Sequence, residues 1–156
     1  SQTDSVTLLG ELSQVRPAFG RGEAITIGSD PLEIVLVKNP SGFRLALTSY
    51  ADSPAATMIT INDNYADGRD MSWLWDVSFD SLAPNVAMIS GIRSYDMALR
   101  LQYDQIDVVD VEPDLGKALE RFISRTTGKR RIYCTYTAML SLRRELGKKY
   151  DVEAIE

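Results

Sequence analysis

Short apolar and β-branched runs alternate along this chain with stretches in which apolar residues recur every three or four positions. The first pattern belongs to strands buried on one or both faces, the second to helices with one apolar side. Glu23–Gly28 and Leu32–Lys38 flank Gly28-Ser29-Asp30-Pro31, a tight-turn composition, and so predict a hairpin. Asn39-Pro40-Ser41-Gly42 opens a helix reaching about Tyr50, with proline near the first helical position, where its missing N–H does no harm. Thr57–Ile61 reads as a strand, Asp80–Leu82 as a short helical turn and Val86–Ser90 as a second strand. An amphipathic helix follows at Ser94–Tyr103, a strand at Ile106–Val111, and a helix at Pro113–Thr126 with Asp114 near its positive end. Arg131–Thr135 and Thr137–Lys149 complete the series as last strand and last helix.

Strands separated by helices predict an α/β domain with a mostly parallel sheet, helices on both faces and the opening hairpin as an antiparallel edge. At 156 residues and 44% hydrophobic, the chain suits one such domain with its own core. Residues 23–150 are expected to form it. Residues 1–22, uneven and broken by Pro17, Gly20 and Gly22, read as a connector from an upstream domain missing here, and 151–156 as a tail. The first residue is Ser, which fits an excised piece.

A net charge of −5 argues against a nucleic-acid footprint. Lys129-Arg130-Arg131 reads as a solvated turn before a strand, and Arg143, Arg144, Lys148 and Lys149 as a solvated helix face. One cysteine rules out an internal disulfide and points to a reducing compartment; no apolar run is long enough to cross a bilayer and no signal-peptide pattern appears. A cytoplasmic location follows as the expectation. The chain has no histidine, so it cannot run a Ser-His or Cys-His mechanism alone.

Candidate chemistry concentrates in Ile61–Asp76, INDNYADGRDMSWLWD, which holds four aspartates (Asp63, Asp67, Asp70, Asp76) and both tryptophans of the chain. It follows a predicted strand, and the carboxyl ends of strands in open α/β sheets are where binding loops converge. A calcium loop beginning at Asp63 fails in register, since Tyr65 takes the third position and Leu74 the place of the bidentate glutamate. Neither GxxxxGK[ST] nor GxGxxG occurs, so autonomous nucleotide hydrolysis is not expected. Lys38 and Asn39 stand at a strand end before a helix: they can meet an anion there, or Asn39 can simply cap the helix. Cys134 has no local base and reads as an inert buried thiol. Two carboxylates facing each other could do general acid–base work, which spacing alone does not show, and the acidic loop admits two further roles. One aspartate can steady a histidine that another chain contributes, or the Asp/Trp loop can serve a stand-alone binding module for a cationic partner or a metal.

Three segments, VKNPSGFRLAL (Val37–Leu47), INDNYADGRDMSWLWDVSF (Ile61–Phe79) and ISGIRSYDMALRL (Ile89–Leu101), resemble the C-terminal domain of MurT, the Mur-ligase-like subunit of lipid II isoglutaminyl synthase. The resemblance runs from about Gly20 to the last helix. It implies a Mur ligase C-terminal-domain fold and a role in peptidoglycan synthesis with GatD, a glutamine amidotransferase. GatD releases ammonia from glutamine with a cysteine and a histidine. MurT activates the α-carboxylate of the stem D-glutamate of lipid II with ATP and Mg, and ammonia converts it to D-isoglutamine. The resemblance implies that Asp70, in the GRD triplet, completes GatD's Cys-His pair, with Arg69, Trp73 and Trp75 as contacts around it. It also implies that Lys38 and Asn39 face nucleotide and substrate, and that the pair acts at the inner face of the membrane. The family's P-loop and central domain are missing from this chain, so no cofactor is expected to be held by this domain alone.

Overall fold

The computed structural model describes residues 23–149 and 152–155, and the connector expected over 1–22 lies outside the described residues. Strand β1 (Glu23–Ile27) turns through Gly28 into β2 (Asp30–Leu36), giving the antiparallel hairpin. Gly28 adopts φ +65°, a conformation that suits glycine in a two-residue turn. Helix α1 (Pro40–Ser49) follows, then β3 (Ala56–Thr60), three short 3-10 turns, β4 (Asn85–Val86), β5 (Met88–Ser90) and helix α2 (Ser94–Tyr103). The remainder is β6 (Asp107–Val108), α3 (Leu115–Arg125), β7 (Arg130–Cys134), α4 (Tyr136–Lys149) and β8 (Val152–Ile155).

Six strands form the main sheet in the order β5-β3-β7-β2-β1-β8. The β5–β3, β3–β7 and β7–β2 pairings are parallel, while β1 runs antiparallel to both β2 and β8. Because side chains alternate across a strand, successive residues feed two cores. Val35, Ile59, Ile89 and Tyr133 join α1, α2 and the loop after β3 on one face. Ile34, Met58, Met88 and Ile132 join α3 and α4 on the other. Phe43 centres the first core, with the rings of Phe79, Tyr133 and Trp73 at 5.0, 5.5 and 6.3 Å. The second rests on Leu119, Phe122, Leu142 and Leu146. Both faces are therefore covered, which accounts for the nearly uninterrupted apolar character of the parallel strands.

Four expectations need correction. The segment Val86–Ser90 is two strands: Met88–Ser90 joins the main sheet, whereas β4 leaves it to pair with β6. Of Ile106–Val111, only Asp107–Val108 is a strand, and Val111 meets the main sheet through a single bridge to Ile89. Val152–Ile155, expected within a tail, closes the sheet edge against β1. Finally, Arg130 and Arg131 are not solvated but lie in β7, 4% and 3% exposed. Arg130 donates to Thr126 Oγ1 at 2.8 Å and to the Ile123 carbonyl at 3.0 Å. Arg131 donates to Glu33 at 2.7 Å and lies 4.2 Å above the Tyr50 ring. Arg143, Arg144, Lys148 and Lys149 are exposed along α4 as expected.

Candidate functional site

Strands β2, β3, β5 and β7 run parallel and end at one edge of the sheet, so the residues that follow them share that edge. The candidate residues Lys38 and Asn39 follow β2, Asp63–Asp76 follow β3, and Gly91–Arg93 follow β5. The close approach of the last two connections demands glycine: a Cβ on Gly91, which has φ +97°, stands 2.5 Å from the Ile61 carbonyl oxygen. Asn62 ties three segments together. Its N–H donates to Thr135 Oγ1 at 2.9 Å, its amide NH₂ to Thr137 Oγ1 at 3.1 Å, and its side-chain oxygen accepts from Ile92 N–H at 2.9 Å.

The four loop aspartates occupy different environments. Asp67 is buried and accepts from Thr137 N–H at 2.8 Å, Thr137 Oγ1 at 2.5 Å and Asn64 N–H at 3.0 Å. It fastens the loop to the start of α4, and a carboxylate suits that position because backbone donors are exposed there. Asp63 lies 3.8 Å from the Arg93 guanidinium. Asp76 is exposed, and its backbone carbonyl accepts from Arg44 at 2.9 Å. Asp70 is exposed too, with Oδ1 accepting from Ser72 N–H at 2.9 Å. The Ser72 backbone N–H, then its hydroxyl, holds the Asp70 carboxyl below the usual carboxylate range, so the group is charged at neutral pH. Among the described residues, no Lys or Arg forms an ion pair with it.

Beyond Asp70 the chain makes a 3-10 turn, Ser72–Asp76, which Arg100 fastens to α2. Arg100 is buried and donates to the Leu74 carbonyl at 3.1 Å, to the Val77 carbonyl, and to Asp104 at 2.9 Å. Asp104 in turn accepts from Phe79 N–H at 2.8 Å. The loop is thus pinned on both sides of Asp70, by Asp67 before it and Arg100 after it. Neither pin was visible from the sequence as more than one acid among four and one arginine on an amphipathic helix. The spacing of Arg100 and Asp104, one helical turn apart, was the only available signal.

The expected contact residues divide. Arg69 is exposed, its guanidinium 5.0 Å from the centre of the Tyr65 ring. Trp75 is 44% exposed and meets Tyr103 edge-on at 4.9 Å. Trp73 instead turns inward against Phe43 and the first core, which leaves it only partly accessible. Lys38 is exposed, and Asn39 accepts from Gly42 N–H at 2.7 Å as the cap of α1. They share an edge with Asp70, but β7 lies between their strands. Cys134 is fully buried in β7. Among the described residues no three carboxylate or thiol side chains converge as metal ligands, and no helix is long and apolar enough to cross a membrane.

A cavity of about 320 Å³ lies at the opposite edge of the sheet, lined in part by Tyr50, Ser53, Leu82, Asn85, Arg131 and Tyr133. Burial, with Glu33 adding and Arg131 opposing, pushes the Tyr50 hydroxyl up to about 12. The one guanidinium there already has a carboxylate, a hydroxyl and a ring as partners. That cluster is complete as internal structure.

Residues 36–139 match the family model described as MurT ligase C-terminal. The MurT subunit of lipid II isoglutaminyl synthase (glutamine-hydrolyzing) from Streptococcus pneumoniae is 31% identical over 156 residues, covering 96% of this chain and 35% of that protein. The subunit of the same name from Staphylococcus aureus is 29% identical over 124 residues, covering 76% of this chain and 28% of the relative. The chain therefore spans about a third of these relatives' length. Among solved structures, a MurF ligase from Thermotoga maritima in complex with ADP superposes with a TM-score of 0.52 at 12% identity, over 89% of this chain and 34% of that one. At that identity the likeness concerns the fold alone, the expected mostly parallel α/β sheet with helices on both faces.

Proposed function

The chain belongs to the MurT ligase C-terminal family, and on that premise we propose that it is the domain of a MurT subunit that docks a GatD-type glutaminase and lends it Asp70. The full-length subunit activates the D-glutamate α-carboxylate of lipid II with ATP and Mg. The partner hydrolyses glutamine, and the released ammonia forms D-isoglutamine. The work takes place at the cytoplasmic face of the membrane, where a lipid-linked substrate meets soluble enzymes. This domain alone makes no product.

The observation that carries the reading is the Asp70 carboxylate: charged, open to solvent, and presented by a loop fixed on both sides. A partner's histidine must accept the cysteine proton and become an imidazolium. A carboxylate on its other nitrogen holds the ring in the productive tautomer and stabilises that positive charge. Ser72 holds one Asp70 oxygen, so the carboxylate is oriented before the partner arrives. Asp67 is unsuited to the role, since its oxygens serve Thr137 and Asn64. Arg69 and Trp75 flank the contact, while Trp73 anchors the loop from inside. Exposed Lys38 is the residue with charge to offer a nucleotide or substrate phosphate when the domains close; Asn39 shapes the helix start beside it.

The test is Asp70→Asn in the full-length pair. Complex formation is expected to persist while glutamine hydrolysis falls on the order of 10³- to 10⁴-fold, the scale of a misheld catalytic imidazole. Unchanged hydrolysis refutes the assignment.

A further inference from the structure

The solvent side of helix α4 is built in two halves. Tyr136 and Leu140, 42 and 40% exposed, head it, and Arg143, Arg144 and Lys148 follow, all exposed. Positions 136, 140, 144 and 148 recur every four residues and so lie along one flank. The opposite flank, with Ala138, Leu142 and Leu146, is buried in the core that α3 and the sheet share. Over its 14 residues the helix carries four cations (Lys149 is the fourth) against Glu145, a net +3, whereas the whole chain is −5; the remainder therefore carries −8.

Two of the three cations on the neighbouring helix α3 are neutralised where they stand. Arg121 and Arg125 meet Asp110 at 3.1 and 2.9 Å, and Arg121 meets Glu112 at 2.8 Å. On α4 one carboxylate is shared: Glu145 lies 3.3 Å from Lys148 and 3.8 Å from Lys149. Arg144 donates to Ser141 Oγ at 3.2 Å, a neutral partner. Lys149 also donates to the Gly116 carbonyl at 3.3 Å, which brings exposed Lys117 of α3 to the same end of the helix. The basic character of α4 therefore survives its local contacts.

We propose that this flank of α4 seats the domain on the anionic phospholipid headgroups of a membrane surface. The proposal rests on the reading of the domain as part of an enzyme acting on a lipid-linked substrate. Clusters of about four to eight Lys and Arg on an amphipathic helix suit such a surface, each strengthening binding roughly fivefold. Tyrosine and leucine at the head of the flank add shallow apolar contact, the tyrosine keeping its hydroxyl wet. A straight run of cations with an apolar head favours a planar bilayer over nucleic acid, whose bases are read by side chains reaching into a groove. The placement also fits the rest of the molecule. Helix α4 covers one face of the sheet, while the Asp70 loop packs with α1 and α2 on the other, so the seat leaves that loop to the partner. The helix starts at the sheet edge that carries Lys38, since β7 pairs with β2.

The test is sedimentation of the full-length subunit, with its glutaminase, on vesicles. Phosphatidylglycerol mixed into phosphatidylcholine is expected to bind the pair, phosphatidylcholine alone is not, and salt is expected to release it. Arg144→Gln with Lys148→Gln should weaken binding about 10-fold or more, with unchanged thermal unfolding and glutamine hydrolysis. Arg44→Gln, exposed on α1 across the sheet, should bind like the parent. Parental binding by the Arg144/Lys148 double variant overturns the proposal, as do equal binding to both vesicle types and tighter binding to duplex DNA than to vesicles. D-isoglutamine formation from vesicle-borne lipid II separates the two readings. Amidation by the parent pair without an α4-dependent affinity sinks the membrane seat alone. An α4-dependent affinity without amidation sinks the enzymatic reading alone.

Discussion

Arg100→Met removes a charge-assisted staple while keeping most of the side chain's volume. Arg100 is 7% exposed, so the partners it leaves behind cannot all turn to water. The Leu74 and Val77 carbonyls each lose a charged donor, and Asp104 loses its ion pair. Hydrogen bonds to charged groups contribute about 1.5–3 kcal/mol each, and breaking a buried pair costs about 3–5 kcal/mol. Asp104 retains the Phe79 N–H and some solvent contact, which moderates the sum. We predict a loss of about 3–4 kcal/mol in urea unfolding of this chain, with an unchanged m-value. The pH profile carries a second signature. Burial pushes the Asp104 carboxyl up, but the Phe79 N–H and Arg100 outweigh it and set the group below the usual range. Its stabilising contribution is therefore full above the unfolded carboxyl pKa and is lost as pH falls through the lower folded value. The variant's stability should change less over that acid interval than the parent's. A loss below about 1 kcal/mol refutes the staple.

Gly91→Ala is expected to cost at least about 3 kcal/mol, since its Cβ meets the Ile61 carbonyl oxygen at 2.5 Å in a left-handed conformation; Gly28→Ala, left-handed but in open space, is expected to cost about 1 kcal/mol. Equal losses in chemical unfolding contradict the crowding argument. For Asp67 and Thr137, a double-mutant cycle with Asp67→Asn and Thr137→Val should give a coupling of at least about 1 kcal/mol, and additivity refutes the clamp. Tyr50 retains its proton to about pH 12, above the unfolded tyrosine value, so its contribution is full below the unfolded value and is lost as pH rises toward 12. Tyr50→Phe should lessen the alkaline fall in stability, the remainder belonging to Tyr133, whose hydroxyl burial also pushes up; an identical fall in parent and variant contradicts it.

The helices and the central strands were legible because each carries its own periodicity and its own stop signals. Asn39-Pro40 shows the principle: a cap residue and a fixed φ set the start of α1 before any tertiary contact exists. What escaped depends on partners distant in the chain. Local charge made Lys129-Arg130-Arg131 look solvated, but Arg131 finds Glu33 across two paired strands and buries. Val86 and Ile89 have similar strand character, and nothing local tells them to pair with different sheets. The VEAI segment is short and offers a weak pattern; its strand exists because β1 leaves an edge to be paired.

The site divides along the same line. A polar, tryptophan-rich loop after a strand marked where to look. The resemblance alone favoured Asp70 over Asp67, three residues away; the physical reason, that Thr137 sits over Asp67, lies outside the sequence. The tryptophans, two residues apart on a 3-10 turn, point to core and solvent, a difference their composition could not carry.

The claim that this domain completes another chain's catalytic centre is tested most directly by a structure of the full-length pair. An Asp70 carboxylate oxygen is expected within about 2.6–3.2 Å of a partner histidine nitrogen, with that histidine's other nitrogen facing the nucleophilic cysteine. A partner imidazole paired with a different carboxylate, or an Asp70 remote from the glutamine pocket, contradicts it.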